Sequence, residues 1–266
     1  MARFYKFRGI RDPASLVTDF SLDALFKSYA VFSGRANFND PFDSKIDLVR
    51  PTAQEILSLL RHPNVIAPKR NLYNRWLSKG QFSRLGLEYL RRFERNLADL
   101  IDTFPIYSLS SHNRCILLWA HYASCHTGFC IEFEYGGEQP AEVRYQSQID
   151  SIRLFDLLKY NNLGIDTDNK LAEQIRNALL VKLECWSYEG EYRWIAAKDH
   201  VTKQQQYRME KKYNPEQVKA IIFGCRMPSP VKSYILARLP FSTKFQQALE
   251  MRDSIEIVDF DQNRHL

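Results

Sequence analysis

Glu189 and Glu191 stand two residues apart in Trp186-Ser-Tyr-Glu-Gly-Glu-Tyr-Arg-Trp-Ile195, and Arg193 follows two residues later. The aromatic and aliphatic flanks read as a strand, on which alternate side chains share a face. Both carboxylates and the guanidinium are therefore expected on one side of a sheet. Such a row makes either an ion-pair lattice or a reaction centre. In a reaction centre, paired carboxylates serve proton transfer, stabilisation of a developing positive charge, or Mg²⁺ ligation.

Three other stretches carry chemistry-bearing side chains. In Tyr5-Lys-Phe-Arg8, Lys6 and Arg8 share one strand face and Tyr5 and Phe7 the other. A strand arginine can hold a diphosphate through its donor fork; equally, the basic pair can face solvent on an edge strand. The loop Asn37-Phe-Asn-Asp-Pro-Phe-Asp43 sets Asn39 and Asp40 between Phe38 and Phe42, which are expected to pin it to the core. It suits contact with a ribose or ring, and equally a capped turn into a strand over 44–50. Ser108 and Ser110 share a side of a strand, leaving Tyr107 and Leu109 for the core. Further on, His121 and Cys125 are four apart on a helix, near His126 and Cys130. That spacing matches none of the usual zinc frameworks, and thiols in apolar sequence stay protonated. No metal site is expected, and His121 reads as a packed, hydrogen-bonded residue.

These residues need a scaffold, and the 266-residue chain is long enough to bury a sizeable core. Strands are expected at 4–8, 29–33, 105–111, 128–133, 218–224 and 254–260. Helices are expected at 21–28 (capped by Ser21), 115–123, 154–160, 169–183, 229–239 and 243–251. A helical insertion occupies about 52–102, and its Arg84, Arg91 and Arg95 share a face that Glu88 and Glu94 dilute. With no repeat or Gly/Ser linker, the expectation is one α+β domain over 1–266 with a split or bent, mainly antiparallel sheet. Aromatics at 13% argue for an ordered globular protein, and no apolar run approaches a membrane span. Five cysteines, an odd number with no export signal, are read as reduced thiols inside apolar elements of a cytoplasmic protein. A net charge of +6 allows an anionic partner without requiring one.

Two resemblances meet at the same residues. Tyr5-Lys-Phe, Phe38-Asn-Asp-Pro-Phe-Asp43, Ser108-Leu-Ser110, Trp119-Ala-His-Tyr-Ala123 with His126-x-Gly128, and Trp186-x-Tyr-Glu-x-Glu-Tyr-Arg193 resemble a bacterial family known as domain of unknown function 2971. The order arginine, Ser-x-Ser, Glu-x-Glu, each on a strand, is similar to the arginine-serine-glutamate signature of mono-ADP-ribosyltransferases. This second resemblance implies an enzyme that consumes NAD. Arg8 or Lys6 would contact the phosphates, and Ser108 and Ser110 would brace the nicotinamide-ribose pocket. Glu191 would bond the ribose 2′-hydroxyl and stabilise the oxocarbenium-like transition state, while Glu189 would orient or deprotonate the acceptor. Asn39, Asp40, His121 and Tyr122 join the expected cofactor-binding set, and the acceptor is an unknown protein or nucleic acid.

Two other functions fit the same residues. A metal-dependent nuclease would use Glu189 and Glu191, with Asp40 or Asp43, to hold Mg²⁺ in oxygen ligation. A non-catalytic nucleotide- or partner-binding module would instead have Arg193 clamping the carboxylates.

Overall fold

A computed structural model of the chain describes residues 2–102, 104–163, 167–196 and 208–266. The chain divides into two compact units, each discontinuous in sequence: 1–34, 105–143 and 184–266 form the first, and 35–104 with 144–183 the second.

The first unit is α+β. Among the described residues its sheet contains Ala2–Arg8 (β1), Tyr29–Ser33 (β2), Ile106–Ser110 (β3), Phe129–Tyr135 (β4), Ala141–Glu142 (β5), Glu191–Ile195 (β6), Arg208–Lys212 (β7), Val218–Phe223 (β8), Lys244–Glu250 (β9) and Ile255–Asp259 (β10). Its main helices are Phe20–Phe26 (α1), Ile116–Tyr122 (α2) and Ser229–Arg238 (α3). The spatial order is β7-β2-β3-β1-β4-β8-β9-β10, with β6 on β3 and β5 on β6. All pairs are antiparallel except β8 with β9, which α3 joins. The mainly antiparallel α+β reading is the observed one. The sheet opens at β3, which meets β1 only at Tyr5↔Ser110 and β2 only at Ser33↔Ile106, yet pairs with β6 along its whole length.

Both faces of the central strands are covered. Phe4, Tyr107, Leu109, Phe133 and Ile221 lie in one core with Leu22 and Leu25 of α1 and Val231 and Ile235 of α3. Phe7, Cys130, Ala220 and Ile222 lie in another with Leu118 and Trp119 of α2.

Local chemistry corrects three expected elements. The N-cap of α1 is Asp19, whose Oδ1 accepts from the Ser21 and Leu22 amides, because a carboxylate two residues earlier outcompetes the Ser21 hydroxyl. Residues 244–250, rich in helix formers, are strand β9. Parallel pairing with β8 and burial of Ala248 override the propensity. The expected strand over 186–195 is strand only from Glu191; Glu184–Glu189 is a 3₁₀ helix, and Gly190 turns the chain at φ +48°.

Beyond α2 the chain makes a left-handed turn through Ser124, Cys125 and His126, with φ of 47°, 52° and 71°. This turn ends at Gly128, where β4 comes against β1. A Cβ on Gly128 would lie 2.1 Å from the Arg8 carbonyl oxygen and 3.0 Å from that of Ala123. Gly128→Ala must therefore push β1 and β4 apart. We expect it to cost about 3 kcal/mol, the upper end for overpacking, read from the urea midpoint. A loss below about 0.5 kcal/mol, within the range of neutral surface changes, would contradict the close approach.

The second unit contains the expected helical insertion as Ala53–Arg61, Ala67–Trp76 and Arg84–Asp102, with a tight hairpin, Leu77–Ser78 and Gln81–Phe82, turning at Lys79 and Gly80. Two short parallel pairs flank it: Ile46–Val49 with Asp150–Arg153, and Arg144–Gln146 with Val181–Leu183. The last of these strands replaces the C-terminal end of the helix expected over 169–183, which closes at Ala178. Arg84 pairs with Glu88 at 2.9 Å and Arg50 with Glu94 at 2.5 Å, so acidic partners do break up the basic face of the long helix.

Candidate functional site

Strand register builds the site in the first unit. Ser110 on β3 stands opposite Tyr5 on β1 and opposite Glu191 on β6. Residues directly opposite share a sheet face, so Tyr5, Ser110 and Glu191 form a cross-strand row. Glu132 of β4 extends the row beyond Tyr5, and Ser108 and Arg193 pair beside it. Helix α2 packs over this face, with Trp119 edge-on to Phe7 at 5.1 Å between ring centres.

Charge at the site is tightly held. Arg193 donates to Glu191 through Nε at 2.7 Å and a terminal guanidinium nitrogen at 2.8 Å, a bidentate fork. Glu191 is 3% exposed and Arg193 1%. Glu189, also buried, accepts a 2.6 Å hydrogen bond from the Tyr122 hydroxyl. Ser110 Oγ donates to the Glu189 carbonyl at 2.6 Å and accepts from the His112 amide at 2.9 Å. The Ser110 hydroxyl thus fixes the 3₁₀ turn that carries Glu189 to the strand that faces Glu191. Gly190 permits this: besides its positive φ, a Cβ there would lie 2.5 Å from Ser111 Oγ. Burial, with the neighbouring Glu132 charge, raises the Tyr5 phenol above its ordinary range. Glu132 is itself raised by burial and meets Arg3 at 2.9 Å.

An aromatic group adjoins Tyr122 and Glu189 in the chain. Exposed His121 lies 6.5 Å, ring centre to ring centre, from both Trp186 and Tyr188, which are 5.9 Å from each other. Residue spacing did not reveal it, because His121 ends a helix and the two aromatics ride the 3₁₀ turn. The only signal was their shared nearness to Tyr122 and Glu189.

Residues 118–194 match the model of a family described as Protein of unknown function (DUF2971). Over this stretch the chain is similar to that family. The stretch contains α2 from Leu118 onward, β4, Glu189, Glu191 and Arg193, while Tyr5 and Ser110 complete the row from outside it. No curated protein and no solved structure matches the chain. Among the described residues no helix is long and apolar enough to cross a membrane.

The remaining expected residues fall elsewhere. Lys6 and Arg8 alternate with Tyr5, so they project to the face opposite the row, and the shared arginine-serine-glutamate face does not form as expected; Tyr5 holds the β1 position. Asn39 and Asp40 belong to the second unit. There Asp40 Oδ1 accepts from the Phe42 amide at 2.9 Å in a local turn, and Phe42 is 50% exposed, so it does not anchor the loop. Asp43 is buried in an ion pair with Lys182 at 3.1 Å. Since α2 ends at Tyr122, His121 and Cys125 do not share a helix face, and His121 is exposed, not packed. All five cysteines are free thiols, but Cys125 and Cys185 are exposed, outside the apolar setting expected of them. Among the described residues no group of three or more His, Cys, Asp or Glu gathers to hold a metal.

Tyr122→Phe removes one charged-acceptor hydrogen bond from Glu189. We expect a loss of about 1.5 kcal/mol by urea denaturation, the lower end for such a bond. An unchanged midpoint would show that Glu189 does not depend on the phenol.

Proposed function

We propose that the first unit binds NAD over the Tyr5–Ser110–Glu191 row and acts as an ADP-ribosyltransferase-like enzyme. The observation that carries this reading is the register itself: the serine of Ser-x-Ser and the second glutamate of Glu-x-Glu are direct cross-strand neighbours. In this reading the Glu191 carboxylate, oriented by the Arg193 fork, faces the ribose. It stabilises positive charge on the anomeric carbon as the bond to nicotinamide breaks. Ser110 keeps the Glu189 turn in place, and Glu189, steadied by Tyr122, receives the acceptor's proton. Tyr5 offers a phenol to the sugar where a basic strand residue was expected. The rings of His121, Trp186 and Tyr188 give a planar group of the ligand a surface to stack on. The acceptor is a protein or nucleic acid.

One observation favours a second reading, a module that binds a nucleotide without turnover. The bidentate hold of Arg193 and the low exposure of Glu191 are what a structural ion pair also requires. Calorimetry with NAD and a nicotinamide-release assay separate the two. Binding with release supports the transferase, binding without release the module, and an absence of both overturns the pair.

A further inference from the structure

We propose that Lys6 and Arg8 form a separate anion site, on the sheet face opposite the Glu191 row, that takes a phosphate-bearing ligand. The proposal goes beyond the NAD reading and does not rest on it.

The site arises where the sheet opens. Because β1 and β3 pair only at Tyr5↔Ser110, the ladder does not continue past that point. Lys6 Nζ instead donates to the Ser108 carbonyl at 2.7 Å and lies 4.6 Å from the Tyr107 ring centre. Arg8, next on the same face, lies close enough for its charge to act on the Tyr107 phenol, against the effect of burial. Nearby, the Tyr213 hydroxyl is buried without a hydrogen-bond partner among the described residues. Neither Lys6 nor Arg8 makes an ion pair with a carboxylate among the described residues, and both are half-buried against the Phe4, Tyr107 and Tyr135 core. Two like charges side by side in apolar surroundings, with an orphaned hydroxyl beside them, lack a counter-charge among the described residues. An ammonium, a guanidinium fork and two phenol hydroxyls are a donor-rich set. Such a set matches a tetrahedral oxyanion with several acceptor oxygens, namely a phosphate group.

Protonation supports the geometry. Burial and the Arg8 charge bring the Lys6 ammonium down to about 7, against the pull of Glu191 and Glu189 across the sheet. Of the other titratable groups, Tyr107 from β3 faces it, and Cys130 from β4 acts on it from the opposite face. A bound anion favours the charged amine, so above pH 7 binding takes up a proton and affinity falls as pH rises. Sulfate, which does not titrate in this range, isolates the protein's share of that uptake.

The test is titration calorimetry of the full chain with inorganic phosphate, and with sulfate at pH 8 in two buffers of different ionisation enthalpy. Saturable binding with proton uptake is expected. Lys6→Met and Arg8→Gln should each weaken it roughly tenfold, as loss of a charged donor does. Tyr213→Phe, which preserves packing, should weaken it a few-fold and covers the case in which a charge variant does not fold. Lys211→Met, removing one exposed charge from the edge strand β7, should leave it unchanged. No saturable binding, equal weakening in Lys211→Met, or sulfate binding without proton uptake overturns the proposal. Phosphate binding by a chain that does not bind NAD would uphold it while sinking the NAD reading.

Discussion

Arg193→Met should lower the unfolding free energy by about 3–5 kcal/mol, the cost of breaking a buried ion pair on one side. Methionine fills much of the space but leaves Glu191, 3% exposed, without the two-pronged donor that holds it at 2.7 and 2.8 Å. A carboxylate removed from water keeps its charge only if hydrogen bonds replace the lost hydration. Arg193→Lys separates charge from geometry: it keeps a cation but loses the fork, so its cost should fall between wild type and Arg193→Met. Urea denaturation with an unchanged m-value is the measurement. An Arg193→Met loss below about 1 kcal/mol, the scale of exposed ion pairs, would mean that the pair is not buried as described.

Glu191→Gln should lower nicotinamide release by at least about a hundredfold, as removal of a transition-state charge partner does. Glutamine keeps the shape and one acceptor oxygen but cannot stabilise a developing ribosyl cation by charge. The same change also takes the anion from Arg193, so a fall in melting temperature comes with it. Activity must therefore be compared at a temperature where the variant is folded, with NAD binding measured alongside. Release that drops while binding persists marks a transition-state role. Glu189→Gln gives the contrast, sparing hydrolysis of NAD and impairing transfer. If Glu191→Gln lowers only stability and leaves release untouched, the Glu191–Arg193 pair is structural.

The elements legible in the sequence were those whose own residues decide their state. β2, β3, β8 and β10 are apolar runs bounded by turn residues, and α2 and α3 have apolar spacing of the helical period. The missed elements are decided by partners distant in sequence. Lys244–Glu250 carries helix-forming Gln, Ala, Leu and Glu, and only β8 beside it makes it a strand. The short parallel strands of the second unit pair across about a hundred residues in one case, which no local pattern announces. At the site, the Ser110–Glu191 adjacency was implicit in the two short motifs, whereas the partner on β1 was misassigned. β1 is covered on both faces, with Phe4 in one core and Phe7 in the other. Its apolar residues therefore do not mark an inside, and parity alone could not say whether Tyr5 or Arg8 faces the serines. Gly190 was the sign that Glu189 and Glu191 do not alternate along one strand, since a left-handed residue between them reorients the chain.

A crystal structure of the protein soaked with NAD tests the central claim most directly. The predicted result is a ribose hydroxyl within about 3 Å of the Glu191 carboxylate, with the sugar over the Tyr5–Ser110–Glu191 row. Dinucleotide bound only on the Lys6 and Arg8 face, or no dinucleotide at a saturating concentration, would contradict it.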